Sequence, residues 1–237
     1  MSNCLFCGQE VEASLSISFL LSFQRMDEPL ICASCLDKFE RIDWDRACPG
    51  CSRAQNEKIL CSDCQLWQEK YPSLILKHRA LFRYHAIAQE YLKQYKVQGD
   101  LLLAELFKKE IRRELKDYEK SHQIFALPMS EASMNRRGFN QVTVLLEAAG
   151  IAYQEPFLHK GGSKKQSRKN RAERLNSPQF FAWKEDYILD ENNPKILLVD
   201  DIYTTGRTLI HAKNLIFEKQ SIMAEQSVSI ESFTLFR

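Results

Sequence analysis

The sequence predicts an α/β fold: a mostly parallel sheet with flanking helices, preceded by a small cysteine-rich domain. Three observations predict it. All eight cysteines fall before residue 65. From about residue 72 onward, strand-like and helix-like apolar patterns alternate, as in a sheet built from crossover units. Residues Ile196–Thr208, ILLVDDIYTTGRT, pass from an apolar strand through a polar turn into a helical stretch.

The 237 residues fit one medium domain plus a smaller appendage, and the expected boundary divides the chain into 1–71 and 72–237 near Pro72. With 44% hydrophobic and 27% charged residues the composition is that of a folded chain. A net charge of only +2 excludes a global field toward nucleic acid, so any such attraction has to come from local clustering. No stretch approaches the eighteen apolar residues that a membrane-spanning helix needs. MSNCLFCGQEVEASLS lacks a basic region followed by an apolar one, so no signal peptide is expected and the protein is expected to be cytoplasmic. The apolar run from Leu15 to Phe23 is short and reads as a strand or hairpin.

The cysteines form four CxxC pairs: Cys4/Cys7, Cys32/Cys35, Cys48/Cys51 and Cys61/Cys64. In a reducing compartment disulfides are disfavoured, which leaves metal binding or redox chemistry. A tight CxxC turn brings two thiolates to one ion, and two such turns complete a tetrahedron. Four pairs therefore point to two structural Zn(Cys)4 sites. The favoured pairing joins the first two pairs and the last two, with an interleaved arrangement left open. Cys48-Pro-Gly-Cys51 and Cys61-Ser-Asp-Cys64 resemble the two knuckles of a zinc ribbon. So small a segment has little core of its own, and metal would supply much of its folding energy. The five histidines, His78, His85, His122, His159 and His211, are scattered and are assigned to packing or surface roles.

In the second part a strand is expected over 78–86, with helices over 87–96 and 101–120 separated by Gly99 and the N-cap Asp100. Residues 123–129 read as a short strand, SEASMNRRGFN as a loop, and 141–149 as a helix ended by Gly150. Strands are expected over 152–158, 179–183, 195–199 and 228–236, and a helix over 208–220. Between them, residues 159–178 are polar and basic.

ILLVDDIYTTGRT has the parts of a sugar-phosphate site. Backbone N–H groups at the turn and the positive helix end suit a phosphate. Gly206 permits close approach, and Thr204, Thr205 and Thr208 add hydroxyls beside Arg207. Asp200 and Asp201 would accept hydrogen bonds from vicinal ribose hydroxyls, directly or through a divalent cation such as Mg²⁺. This pattern resembles the binding motif of type I phosphoribosyltransferases. That resemblance implies a pyrophosphate loop after an earlier strand, where Arg136 and Arg137 of NRRGFNQ stand, and a hood where residues 159–178 stand. Thr204 occupies the place where some purine-salvaging transferases carry an acidic residue that assists the base; others manage without it.

With the CxxC pairs, RRGFNQ, QSRKNRAERLNS and LLVDDIYTTGRT taken together, the chain resembles the ComF family of competence proteins along its whole length. The resemblance implies a part in natural transformation, in which incoming single-stranded DNA is handled beside the ComFA helicase and recombination mediators, with recruitment to uptake machinery at the membrane. It also implies phosphoribosyl pyrophosphate as a ligand. Between Lys160 and Arg174 stand seven Lys or Arg and one acid. Lys164, Lys165, Arg168, Lys169 and Arg171 are the expected DNA contacts, with Phe180, Phe181 and Trp183 as candidate stacking partners or core residues. An active phosphoribosyltransferase of nucleotide metabolism is the alternative, with Arg136 and Arg137 stabilising departing pyrophosphate. Catalysis is left open at this point.

Overall fold

The computed structural model describes residues 2–11, 30–72, 77–160, 179–190, 192–223 and 228–237, with the backbone alone at 220–223. The expected strand at 15–23 lies outside the described residues, as do Lys164, Lys165, Arg168, Lys169 and Arg171. In the cysteine-rich part β1 (Ser2–Asn3) pairs antiparallel with β2 (Glu10–Val11), followed by α1 (Ala33–Leu36) and α2 (Ser62–Lys70). The rest runs β3 (His78–Phe82), α3 (Ala86–Lys93), α4 (Lys108–Leu115), β4 (Gln123–Ala126), α5 (Glu131–Arg137) and α6 (Gln141–Ala148). It ends with β5 (Phe157–His159), β6 (Phe181–Trp183), β7 (Lys195–Ile202), α7 (Arg207–Met223) and β8 (Ser229–Phe236).

Four of these strands form one sheet in the order β3-β8-β7-β4, and every neighbouring pair is parallel. The fold is thus α/β, with the carboxyl ends of all four strands at one edge, where ligands bind in such sheets. The apolar run ILLV makes β7 a central strand buried on both faces. Alternation along β7 divides its side chains: Leu197 and Val199 join the core built with α3, α4 and α6, and Ile196 and Leu198 join the core on the α7 side. The exposed edge of β3 is closed by the cysteine-rich part, since Ile42 N donates to Leu81 O and Arg83 N donates to Glu40 O, both at 2.9 Å.

Several elements differ from expectation for identifiable reasons. Helix α3 continues into a π-helical turn, Gln94–Gln98, that ends at Gly99 with φ +75°. The stretch expected as one helix over 101–120 starts as a 3₁₀ helix, Leu101–Phe107, capped by the Asp100 side chain accepting from Leu102 N. SEASMNRRGFN is not a loop: Ser130 caps α5 by accepting from Ser133 N, and Gly138 at φ +79° ends it. No residue of α5 is buried, so there was no apolar stripe to read. The strand expected over 152–158 shrinks to β5 because Pro156 has no N–H; upstream, only Gln154 bridges to β4. β7 runs on past Val199 and carries both aspartates within the sheet, with Asp200 in register with Thr234.

Candidate functional site

After Ile202 the chain stays on the sheet for one more bond, Tyr203 N to Phe236 O at 2.9 Å, then turns through Thr204, Thr205 and Gly206 into α7. The first N–H groups of a 17-residue helix have no intrahelical partners, and its positive end faces the same way. Gly206 has φ +77°, and a Cβ there would stand 2.1 Å from the Tyr203 hydroxyl, so the turn closes only around glycine. Thr204 is exposed, Thr205 and Thr208 are half-buried, and Arg207 is buried.

Neighbours on a strand point to opposite faces, and the two aspartates have different surroundings for that reason. Asp200 is half-buried, and its Oδ1 accepts from Asp201 N at 2.9 Å. Burial, reinforced by the Asp201 charge, pushes the Asp200 carboxyl well above its usual range. Asp201 is buried, ion-paired with Lys96, and accepts from Gln141 Nε2 at 3.3 Å. Burial pushes its carboxyl up, but Lys96 and these hydrogen bonds outweigh that and leave it below the usual value. Gln141 in turn accepts from Arg137 Nη1 at 2.9 Å, so Arg137, Gln141, Asp201 and Lys96 form one polar chain at the sheet edge. Arg137 Nε is buried with no hydrogen-bond partner among the described residues. Arg136 is exposed.

The cysteines gather into two groups, Cys4/Cys7/Cys32/Cys35 and Cys48/Cys51/Cys61/Cys64, the sulfurs of each lying within 4.8 Å of one another. Four thiolates on one zinc at about 2.3 Å stand about 3.8 Å apart. Cys7 Sγ to Cys32 Sγ is 3.7 Å and Cys51 Sγ to Cys61 Sγ is 3.5 Å, so the spacing fits an ion, and all eight cysteines are free thiols. In the buried second group, hydrogen bonds from Cys51 and Cys64 hold the Cys48 thiol far down, whereas Cys64, facing Cys48 and Cys51, is pushed far up. Four buried sulfurs in that relation can ionise together only around a cation. In the first group Ser34 leads in holding Cys32 down to about 6, and burial leads in pushing Cys35 up to about 12.

The second group touches the turn that leads from Tyr203 into α7. Trp67 Nε1, on α2, donates to Thr205 O at 2.7 Å. Arg237 donates through Nη1 to Thr204 O at 3.3 Å, through Nε to Cys51 O at 3.2 Å, and through Nη2 to Cys51 Sγ at 3.3 Å. Its guanidinium lies 4.5 Å over the Tyr203 ring. Sequence reasoning did not single out Lys96, Trp67 or Arg237; each acts through a neighbour distant in the chain, and no local pattern marks them. Gln141 did stand within RRGFNQ, where its place directly after the N-cap Asn140 was a usable signal.

The flanks of the basic segment are also placed. β5 and β6 pair antiparallel, and Lys160 N donates to Phe180 O at 2.7 Å. Gln179 bonds both the backbone and the ring of His211, about one turn into α7. Of the candidate stacking aromatics, Phe181 is wholly buried and the Trp183 indole donates to Leu215 O at 3.1 Å. Phe180 is half-buried between His159 and His211. Among the described residues no helix is long and apolar enough to cross a membrane.

No family model matches the chain. Over 216 residues it is 39% identical to the competence protein ComFC of Streptococcus pneumoniae (strain ATCC BAA-255 / R6), covering 91% of this chain and 94% of that protein. Over 238 residues it is 31% identical to the competence protein ComFC of Bacillus subtilis (strain 168), covering 99% of this chain and 94% of that one. Kinship of that extent spans the cysteine groups and the β7–α7 turn alike, and the chain belongs to the ComFC family of competence proteins.

Proposed function

We propose that this chain serves DNA uptake in natural transformation, handling incoming single-stranded DNA in the cytoplasm beside a ComFA-type helicase. In this reading residues 72–237 form a phosphoribosyltransferase-like domain that binds phosphoribosyl pyrophosphate, and residues 1–71 form a domain holding two structural zinc ions. The role in competence is supported by the kinship with two ComFC proteins. The ligand reading rests above all on one observation: the Gly206 turn and the half-buried Asp200 stand at the sheet edge that also holds Arg137, whose Nε is buried and unpartnered among the described residues. Asp200 would accept from a ribose hydroxyl, the turn would take the 5-phosphate, and Arg137 would face the pyrophosphate. The DNA reading rests on the basic run from Lys160 to Arg174.

Calorimetric titration with phosphoribosyl pyrophosphate and Mg²⁺ tests the ligand. Wild-type protein binds and Asp200→Ala, which removes the acceptor, does not; equal binding by both would remove Asp200 from the site. For DNA, Lys164, Lys165, Arg168 and Lys169 are changed to Ala together. The salt dependence of single-strand affinity should then flatten by about 0.7 in log–log slope per lost phosphate contact. Affinity unchanged at low salt would sink the assignment. Pyrophosphate release across the nucleobases, with Asp200→Ala/Asp201→Ala as control, reads whether the bound ligand is also turned over.

A further inference from the structure

The phosphate loop is held from behind by the second cysteine group. Two successive loop carbonyls are tied down: Thr204 O accepts from Arg237 Nη1, and Thr205 O accepts from Trp67 Nε1. Both donors belong to the cysteine side of the loop. Trp67 is buried one turn after Cys64 on α2, and Arg237 is fixed by its bonds to Cys51 O and Cys51 Sγ.

Peptide planarity carries this arrangement to the ligand side. In a trans peptide the N–H points opposite to the C=O, and the described residues contain no cis peptide bond. Holding Thr204 O toward Arg237 therefore turns the Thr205 N–H away from it, and holding Thr205 O toward Trp67 does the same for the Gly206 N–H. These are the two amides that lead into the positive end of α7. Tyr203 adds a third constraint, packed between the Arg237 guanidinium and Gly206. Hydrogen bonds to metal ligands fix the geometry around such a centre, and Arg237 donates to the Cys51 sulfur, a candidate ligand, while also holding the loop.

We propose that the Cys48/Cys51/Cys61/Cys64 centre, once loaded with metal, clamps the phosphate loop through Trp67 and Arg237, and thereby sets the loop's affinity for a phosphorylated ligand. Trp67 and Arg237 are positioning residues. The inference rests on the sugar-phosphate reading of the loop and on metal binding by the cysteines. The first group supplies the internal control, because among the described residues none of its cysteines is hydrogen-bonded to the loop.

The test uses full-length, zinc-loaded protein with metal content measured on every sample. It reads amide hydrogen exchange over residues 203–209 and calorimetric affinity for phosphoribosyl pyrophosphate. Trp67→Phe keeps the ring and removes the donor, and Arg237→Met removes the guanidinium. Each is expected to keep both metals yet speed loop exchange and weaken ligand binding about five- to tenfold, the worth of one hydrogen bond. Arg237→Lys should recover part of the loss. Cys51→Ser should lose one metal and exceed both effects, whereas Cys7→Ser should lose one metal and leave the loop as in wild type. Unchanged loop exchange in both Trp67→Phe and Arg237→Met overturns the clamp. So does an equal effect from Cys7→Ser. Faster exchange in a protein that binds no phosphoribosyl pyrophosphate even as wild type supports the mechanical tie and overturns the sugar-phosphate reading instead.

Discussion

Lys96 is ion-paired with Asp201 at the carboxyl end of β7, and both side chains are largely out of water, at 16% and 3% exposure. The lysine comes from the π-helical turn that extends α3, an irregularity frequent at functional sites. Removing one partner of a buried pair strands the other charge, which costs about 3–5 kcal/mol. Lys96→Met is expected to lose that much in urea denaturation at neutral pH. The double variant Lys96→Met/Asp201→Leu should recover most of it, since no charge is then left buried. The folded carboxyl of Asp201 lies below its ordinary value of 3.8, so its stabilisation is present above that value and is lost as pH falls through the lower folded pKa. In Lys96→Met the partner that holds this carboxyl down is gone, so this acid-side loss should shrink or vanish. Equal stability of wild type and Lys96→Met would remove the pair from the account.

The two cysteine groups differ in access. Cys7 is exposed and Cys32 half-buried, whereas Cys48, Cys51, Cys61 and Cys64 are all buried. A colorimetric chelator should therefore take up two zinc ions per chain in two phases. The fast phase should vanish in Cys7→Ser and the slow phase in Cys48→Ser. One phase, or one ion, would contradict this division.

Much of the architecture was legible because it depends on local pattern. The apolar run before Asp200 marked a buried strand, Asp100 and Gly99 marked a helix boundary, and CxxC spacing marked the cysteine groups. Helix α5 escaped because it buries nothing, although Ser130 and Gly138 were its caps in plain view. The partners of the Gly206 turn escaped for a different reason. Trp67 lies 138 residues from Thr205, and Arg237 lies 186 residues from Cys51. Such contacts exist only once the sheet has brought its carboxyl ends together and the cysteine-rich part has closed over β3. Tertiary packing decides them, and no propensity or period encodes them.

Gly206→Ala tests the turn itself. A residue with a Cβ at φ +77° is strained by about 1–2 kcal/mol before any contact is counted. Here the added carbon would meet Tyr203 Oη at 2.1 Å and Cζ at 2.5 Å, with the Tyr203 ring packed under Arg237. The variant is expected to lose more than that backbone cost in stability. Alanine at Gly138, where φ is +79° but no atom lies within 4 Å, should lose the backbone term alone. Thermal denaturation of the two variants side by side gives the comparison. Equal losses would mean that Tyr203 yields freely.

The acid limb of stability should be governed by histidine. His78 is buried, its ring nitrogens sit 3.1 Å from Ser232 Oγ and Thr234 Oγ1, and burial, with Arg237 and Lys213 nearby, holds it well below its ordinary value. Burial, with Arg207 and Lys70, brings His211 down to about 4, and burial also lowers His122 and His159. Each is harder to protonate in the folded chain than in the unfolded chain, where the ordinary value is 6.5. Through these histidines the unfolded state binds more protons between about pH 4 and 6.5, so their contribution to stability rises with pH across that window, against the opposite contribution of the raised Asp200 carboxyl. Above 6.5 the histidine contribution is flat. Urea denaturation at half-unit steps from pH 4 to 8 should show the rise. His211→Gln, which can still bond to Gln179, should make it shallower. Identical slopes for wild type and His211→Gln from pH 4.5 to 7 would show that the His211 imidazole is not held down.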